Sequence, residues 1–534
     1  MAARISMSWK RPDRSDNAVM TWRDPGRTGA ISRRSFVAGV SSLLISQALS
    51  CREEVTAGVS ISVPYDPETL DPHRRDRVAE YAVASHFYEG LVRLDREMSI
   101  FPCLATRWVN PDLVTWLFEI RPGVSFHDGD PLSAKDVVFS LERLLSDGTL
   151  GTGHYVLGIR SVKARDTLTV EIQTERPLGV LLNKLALVPI IRKGSSGAKL
   201  HAAPNGTGPY RLDTWKPGAS LSLSRNDSYW GEPPLMQKAV FRLRRSAAEA
   251  MEDLSSGKSD LVQCPTREPE AVIRDRRDLL VKRRTGIFMK YLAYDLSRKD
   301  SPFVSVKPNP FLDVRVRQAV SLAIDRKQLA ASLPAAAVPA YQLVPPSIFG
   351  HDPSLEETDP DTAQAAQLLR EAGYRNGFEV TLHVRELLAA GVTELQSMLG
   401  AAGIRVKPAV LSDQDFYALV MRRDPALILN RFGCLSGDAS DLLDAGMHSV
   451  DEARHFGLSS FGAYSNADID RLIEESSEIV ESHRRLRALQ AIMRRLASEL
   501  VWIPLYFDED VYALRKDLAW TPRADSSILA HEIH

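Results

Sequence analysis

A chain of 534 residues, 44% of them hydrophobic, can bury several large cores, and its length calls for more than one lobe. The formal charge of −1 is unevenly spread: residues 1–50 carry a net +5, which leaves an acidic body with no electrostatic reason to hold nucleic acid. The four cysteines, Cys51, Cys103, Cys264 and Cys434, lie far apart and form no Cys-x-x-Cys pair. That argues against a zinc site or a disulfide framework and leaves the last three as buried free thiols.

The first fifty residues read as an address. Arg33-Arg34 sits in Ser-Arg-Arg-Ser-Phe, a twin-arginine pattern, followed by an apolar run from Val37 to Leu49. The run is shorter than the roughly twenty residues a membrane-spanning helix needs, and small residues precede Cys51, so residues 1–50 are expected to be an export signal. Two ends of that signal fit equally. Cys51 could be the acylated cysteine of a lipoprotein, although Ala48 and Leu49 stand in the reverse of the usual order, and Ala48 with Ser50 also suits a cut that releases a soluble product. The thirty residues before the arginines are long for a signal, and Met7 or Met20 could be the true start.

From Trp116 the periodicity predicts strand, turn and helix. Trp116, Phe118 and Ile120 alternate with Leu117 and Glu119, Pro122-Gly123 breaks the strand, and Asp128-Gly129 marks a turn. Ser133 with Asp136 looks like a helix start, and Val137, Val138, Leu141 and Leu144 give the helix an apolar face. Ser220 to Ser224 alternates around Leu221 and Leu223 as a strand. Val316, Ala319, Val320, Ala323 and Ile324 have helical spacing behind an Asp313 cap. Asp359-Pro360 is expected to open a second helix that Gly373 closes, and Ile428-Leu429-Asn430 to end a buried strand. Strands and helices are interspersed, no internal repeat or low-complexity run is present, and the class is α/β.

Catalytic patterns are incomplete. Gly257-Lys258-Ser259 resembles the end of a phosphate-binding loop, but Glu252 stands where its first glycine should be. His531-Glu532-Ile533-His534 is one residue short of a zinc-protease helix and is expected at a frayed end. Ser196-x-x-Lys199 and Ser255-x-x-Lys258 lack supporting motifs, there is no Gly-x-Ser-x-Gly, and His127-Asp128 reads as a solvated turn. The expectation is no enzyme, no cofactor and no metal.

A set of short blocks carries more. Leu70-Asp71-Pro72, Tyr88-Glu89-Gly90-Leu91, the Trp116–Arg143 run, Asn205-Gly206-Thr207-Gly208-Pro209-Tyr210, Arg225-Asn226, Tyr229-Trp230-Gly231, Asp313 to Ala319, Ala323 to Arg326, Leu368 to Tyr374, Tyr464-Ser465-Asn466 and Ile503-Pro504-Leu505-Tyr506 succeed one another along the chain. In kind and order they resemble the family 5 extracellular solute-binding proteins, the peptide- and nickel-type binding subunits of ABC importers. The resemblance implies a two-lobed periplasmic-binding-protein fold of the type II, large peptide-binder class, with an extra subdomain on the first lobe. The implied division is 58–75, 190–287 and 504–534 for lobe I, 76–189 for the extra subdomain and 288–503 for lobe II, with crossings at Phe288–Tyr294 and Ile503–Phe507. It implies an exported, monomeric protein of the periplasm or cell envelope, lipid-anchored if Cys51 is acylated. Such a protein captures an oligopeptide or other small solute and hands it to membrane permease subunits. A sensor or chaperone without a permease, and a secreted hydrolase, are the alternatives.

For the site, the resemblance points to Asp76, Arg77 and Val78 as a segment that pairs with an extended ligand by strand addition, and to Tyr155 as an aromatic offered to the cleft. The plainer reading is a surface loop and one core tyrosine. On lobe II the family's peptide binders keep Trp-x-x-Asp-x-x-Asp-Pro, whose first carboxylate meets the peptide ammonium, a charge too costly to bury unpaired. Here Phe432 replaces the Trp, Leu435 the amine-binding Asp and Ala439 the Pro, Asp438 keeps the second Asp, and Arg431 adds a cation. That disfavours a free peptide N-terminus; an anionic, sugar-like, opine-like or blocked-peptide solute fits no worse. If the register slips, Asp438, Asp441 or Asp444 could serve the amine.

Overall fold

The computed structural model describes residues 58–74, 77–264, 269 and 273–534; Arg33, Arg34, Cys51 and Asp76 lie outside them. Thr115–Ile120 is a strand with Trp116, Phe118 and Ile120 buried, and Leu117 and Glu119 partly exposed. The helix behind it is Ala134–Ser146. Its entry is fixed by Asp136, whose carboxylate accepts from the Ser133 N–H and hydroxyl at 2.9 and 2.8 Å, while Val137, Leu141 and Leu144 go to the core. Ser220–Arg225 is a strand, and Val314–Ala323 is a helix capped by Asp313, which accepts from the Arg315 N–H at 2.8 Å. Two boundaries differ from the sequence reading. The second helix is Thr362–Glu371 and its cap is Asp361, which accepts from the Gln364 N–H at 2.8 Å. The strand expected to end at Asn430 is Leu427–Gly433, because Met289 and Phe288 go on pairing with Phe432 and Gly433.

The frame is one eleven-stranded sheet. Its order is Ile404–Leu411, Phe378–Arg385, Leu427–Gly433, Leu279–Tyr294, Trp502–Arg515, Leu261–Cys264, Gly58–Val63, Lys238–Leu243, Ser220–Arg225 and Tyr210–Lys216, with Ala337–Pro339 paired on Trp502–Arg515. Leu279–Tyr294 and Trp502–Arg515 are 16 and 14 residues long, enough to serve two lobes. Leu279–Thr285 pairs with Glu509–Arg515, the register shifts, and Met289–Ala293 then pairs with Trp502–Phe507. The lobes on either side of that shift have separate cores: Ile61, Phe87, Tyr210 and Tyr512 in lobe I, and Phe311, Phe378, Leu382 and Ile503 in lobe II. The fold is two-lobed and mixed α/β.

A separate antiparallel sheet, in the order Ala105–Asp112, Thr115–Ile120, Thr169–Thr174, Ile159–Ala164, packs on the helix Ala134–Ser146. Its core runs on into Leu442, Met447, Leu489 and Trp502, so this sheet packs against the lobe II side of the molecule.

The sequence blocks meet inside lobe I. The Arg143 guanidinium donates to both Asp71 oxygens at 3.0 and 2.6 Å, tying the first block to the end of the third. Glu89 accepts from Thr207, Tyr229 and Trp230 at 2.8, 2.8 and 2.7 Å, so one carboxylate joins three blocks. A Cβ on Gly206 would lie 2.0 Å from the Phe87 carbonyl oxygen, which is why that block needs its glycine. Cys103, Cys264 and Cys434 are buried free thiols. Two readings are corrected. His127 is buried rather than solvated, its Nε2 bonded to the Gly208 carbonyl at 3.0 Å. The C-terminal segment is packed rather than frayed: Ile528, Ala530 and Ile533 are fully buried, and Ala519 and His534 exchange backbone hydrogen bonds.

Candidate functional site

The lobes meet where the loop after Leu427–Gly433 reaches the extra sheet's side of the molecule. The Asn183 side-chain amide donates to the Ser436 carbonyl at 2.9 Å. Gly437, at φ +76°, would place a Cβ 2.8 Å from the Met98 carbonyl oxygen, so glycine permits both the turn and the close approach. Between these contacts Leu435 of lobe II faces Pro72, Tyr81, Thr152, Tyr155 and Leu187 around a cavity of about 20 Å³, room for one water molecule. Past Tyr81 and Pro189, which line both spaces, lies a chamber of about 440 Å³. Its walls are Tyr81, Glu89 and Arg93 on one side and Thr521, Arg523 and His531 of the C-terminal segment on the other.

Of the residues singled out in the sequence, Tyr155 and Leu435 are brought together in the cleft. Tyr155 is buried in the short turn Gly151–Val156, its ring 3.9 Å from that of His154. Val78 is not extended: it opens the helix Val78–Ala84, while Arg77 before it is extended and ion-paired with Glu68. Arg431 is exposed with its guanidinium 5.0 Å from the Phe288 ring centre, and Phe432 is half-buried against Trp502. Neither lines the two cavities. Asp438 has a different occupation. Both its oxygens accept from Arg485, at 2.5 and 2.8 Å, and both side chains are buried. Burial opposes its charge, yet the guanidinium holds the carboxyl below its ordinary value.

Asp441 accepts from the Ser436 N–H at 2.9 Å, and burial pushes its carboxyl up. Burial also pushes Asp444 up to about 6 against the pull of Lys184 from the facing lobe. At the shift between lobes, Lys290 is buried and ion-paired with Asp508, and desolvation lowers its ammonium. Asp510 accepts from the Ser526 hydroxyl at 2.5 Å, and desolvation pushes it up to about 7. Sequence reasoning missed Tyr81 and Arg93. Arg93 had a signal: it is the lone charge in Gly90-Leu91-Val92-Arg93-Leu94, on the outward phase of the strand Val92–Leu94. Among the described residues there is no cluster of metal-binding side chains, and no helix is long and apolar enough to cross a membrane.

Two lobes joined by two strands, with a cleft closing between them, define a bilobal binding protein. The comparisons agree. The profile of bacterial extracellular solute-binding proteins, family 5 Middle, matches residues 99–453, and the chain belongs to that family. It is 26% identical over 509 residues to the glutathione-binding protein GsiB of Escherichia coli K12, covering 92% of this chain and 96% of the relative. In fold it is similar to HbpA2 from Haemophilus parasuis, with a TM-score of 0.77 at 20% identity over 89% of this chain and 99% of that one. It is also similar to the periplasmic binding protein DppA from Helicobacter pylori in complex with the peptide STSA, with a TM-score of 0.73 at 21% identity over 91% and 99% of the two chains.

Proposed function

We propose that this protein is the exported substrate-binding component of an ABC importer, taking a small peptide-like or related solute between its lobes and delivering it to a membrane permease. The observation that carries the reading is the cleft itself: Tyr155 and Tyr81 of one lobe meet Leu435 of the other, in a chain of family 5. Solute enters with the lobes apart and favours the closed state by its differential affinity for it. The domain division, with 76–189 as an extra subdomain, belongs to the same proposal, as do export through Arg33-Arg34 and acylation or release at Cys51.

Tyr155 and Leu435 are the ligand-facing pair of this reading; Arg77 and Val78 line neither cavity. Asp438 is left to its ion pair with Arg485. With Leu435 where a peptide binder keeps a carboxylate, a solute without a free N-terminal ammonium is favoured. Calorimetry with alanyl-alanine, N-acetyl-alanyl-alanine, glutathione and a neutral sugar tests this. Micromolar or tighter binding of the free peptide, lost on acetylation, would overturn the preference. Replacing both Arg33 and Arg34 with Lys is expected to leave the precursor in the cytoplasm; normal periplasmic recovery would refute that route.

A further inference from the structure

The 440 Å³ chamber beyond Tyr81 has a polar lining in which nearly every charge is already matched. Glu97 pairs with Arg284, and Glu532 with Arg96 and Arg523. Arg523 also binds Asp525 and the carbonyls of Leu94 and Asp95. Asp95 accepts from the N–H groups of Glu97 and Ser99. Glu89 accepts from Tyr229, Trp230 and Thr207, and also from the Cys103 thiol.

Besides the buried Tyr88 hydroxyl, two polar groups on the chamber wall have no such match among the described residues. The Arg93 guanidinium is exposed and lines the chamber, and its field reaches Glu89, Cys103, Tyr229 and His531. The Nδ1 of His531 is buried without a hydrogen bond. A third group, the Tyr81 hydroxyl, is kept protonated by desolvation that pushes it up to about 12, and it lies on the wall shared with the cleft. Unmatched polar atoms at the end of a binding cleft call for a complementary group on what binds there. An unpaired guanidinium presents a fork of donors suited to a carboxylate, with Tyr81 able to donate to the same group.

We propose that this chamber is a subsite of the solute-binding cleft that takes a carboxylate of the solute, with Arg93 as its specificity-determining residue and Tyr81 and His531 as accessory partners. The inference rests on the solute-capture reading and adds a chemical class to it. The solute lies with an uncharged end against Leu435 and Tyr155 and an anionic end toward Arg93. The chamber's size limits that anionic portion to roughly one or two residues of a peptide-like molecule.

The test pairs N-acetyl-alanyl-alanine with its C-terminal amide, measured by calorimetry on the mature chain and on Arg93→Gln and Arg93→Lys. The wild type is expected to bind the acid at least tenfold tighter than the amide, in line with a charge-assisted hydrogen bond. Arg93→Gln is expected to lose that preference, and Arg93→Lys to keep part of it. Because Arg93 has no ion-pair partner to lose, the melting temperature of both variants should match the wild type. Equal affinity for acid and amide, or a preference kept in Arg93→Gln, overturns the subsite. Mass spectrometry of solute retained from the native host is the second arm. A retained solute without an anionic group overturns the subsite and leaves solute capture standing. No bound molecule in either arm overturns both.

Discussion

Two carboxylates, half-buried Glu89 in lobe I and fully buried Asp438 in lobe II, are held in opposite ways. Glu89 lies among the sequence blocks that mark the family and is satisfied by neutral donors from two others, Thr207 in one and Tyr229 and Trp230 in the next. Asp438 lies in the loop where this chain departs from the peptide-binder pattern, and it is satisfied by one cation, Arg485. Desolvation raises the first, while the guanidinium lowers the second even though burial opposes its charge too. The contrast teaches that a retained motif acid can be a joint of the interior rather than a contact for ligand. Asp438 is such a joint, while Leu435, three residues before it, lines the cavity between the lobes.

The largest break in this comparison comes from Arg485→Ala. It strands a buried carboxylate and should cost about 3–5 kcal/mol in chemical unfolding, most of it recovered when Asp438→Leu is added. A stability loss under about 1 kcal/mol would show that the pair is not needed. In lobe I, Gly206→Ala should cost about 1–3 kcal/mol, since its Cβ would collide with the Phe87 carbonyl and force the block off Glu89; unchanged denaturant midpoints would refute the close approach. Leu435→Asp should leave stability within about 1 kcal/mol and tighten binding of free di- and tripeptides about tenfold, because an opposite charge offsets desolvation of the ammonium. Unaltered preference between a peptide and its N-acetyl form would place the amine elsewhere.

The smallest effect is in pH, at two carboxylates without a paired cation, of which Asp510 has one neutral donor, Ser526. Asp510 and Asp444 are raised from 3.8 to about 7 and about 6, so the folded chain holds protons there that the unfolded chain releases. Their contribution is present in full below about pH 4 and lost as pH rises through about 6 and 7, the reverse of an ion-paired acid such as Asp438. Asp510→Asn should flatten stability between about pH 4 and 7; a curve identical to the wild type would remove Asp510 as a cause.

Much of the fold was legible because periodicity and caps are local. Trp116, Phe118 and Ile120 had to share a face, and Asp313 had to cap the helix behind it. The Asp361 cap was misplaced by two residues because Asp359-Pro360 gives the same signal and only the Gln364 N–H decides between them. The cleft was half legible. Tyr155 and Leu435 were found through family position, but Tyr81 and Arg93 depend on where a helix and a short strand are carried by lobe I, which no local pattern encodes. His127 and His531 misled for the same reason: a polar residue near a turn or a chain end looks solvated until the element that covers it is known.

The strand Trp502–Arg515 lies between Leu279–Tyr294 and Leu261–Cys264 in the great sheet, yet it is synthesised after both. Until it emerges, the nascent chain consists of two half-sheets with facing open edges, each a template for pairing with the wrong partner. At about 5–20 residues per second, the stretch from the first of those edges to the strand that closes them takes on the order of tens of seconds on the ribosome. The molecule therefore spends the second half of its synthesis as an unzipped seam that only the final segment can close. A chain stopped before residue 502 should be lost to aggregation rather than accumulate as a smaller, soluble lobe.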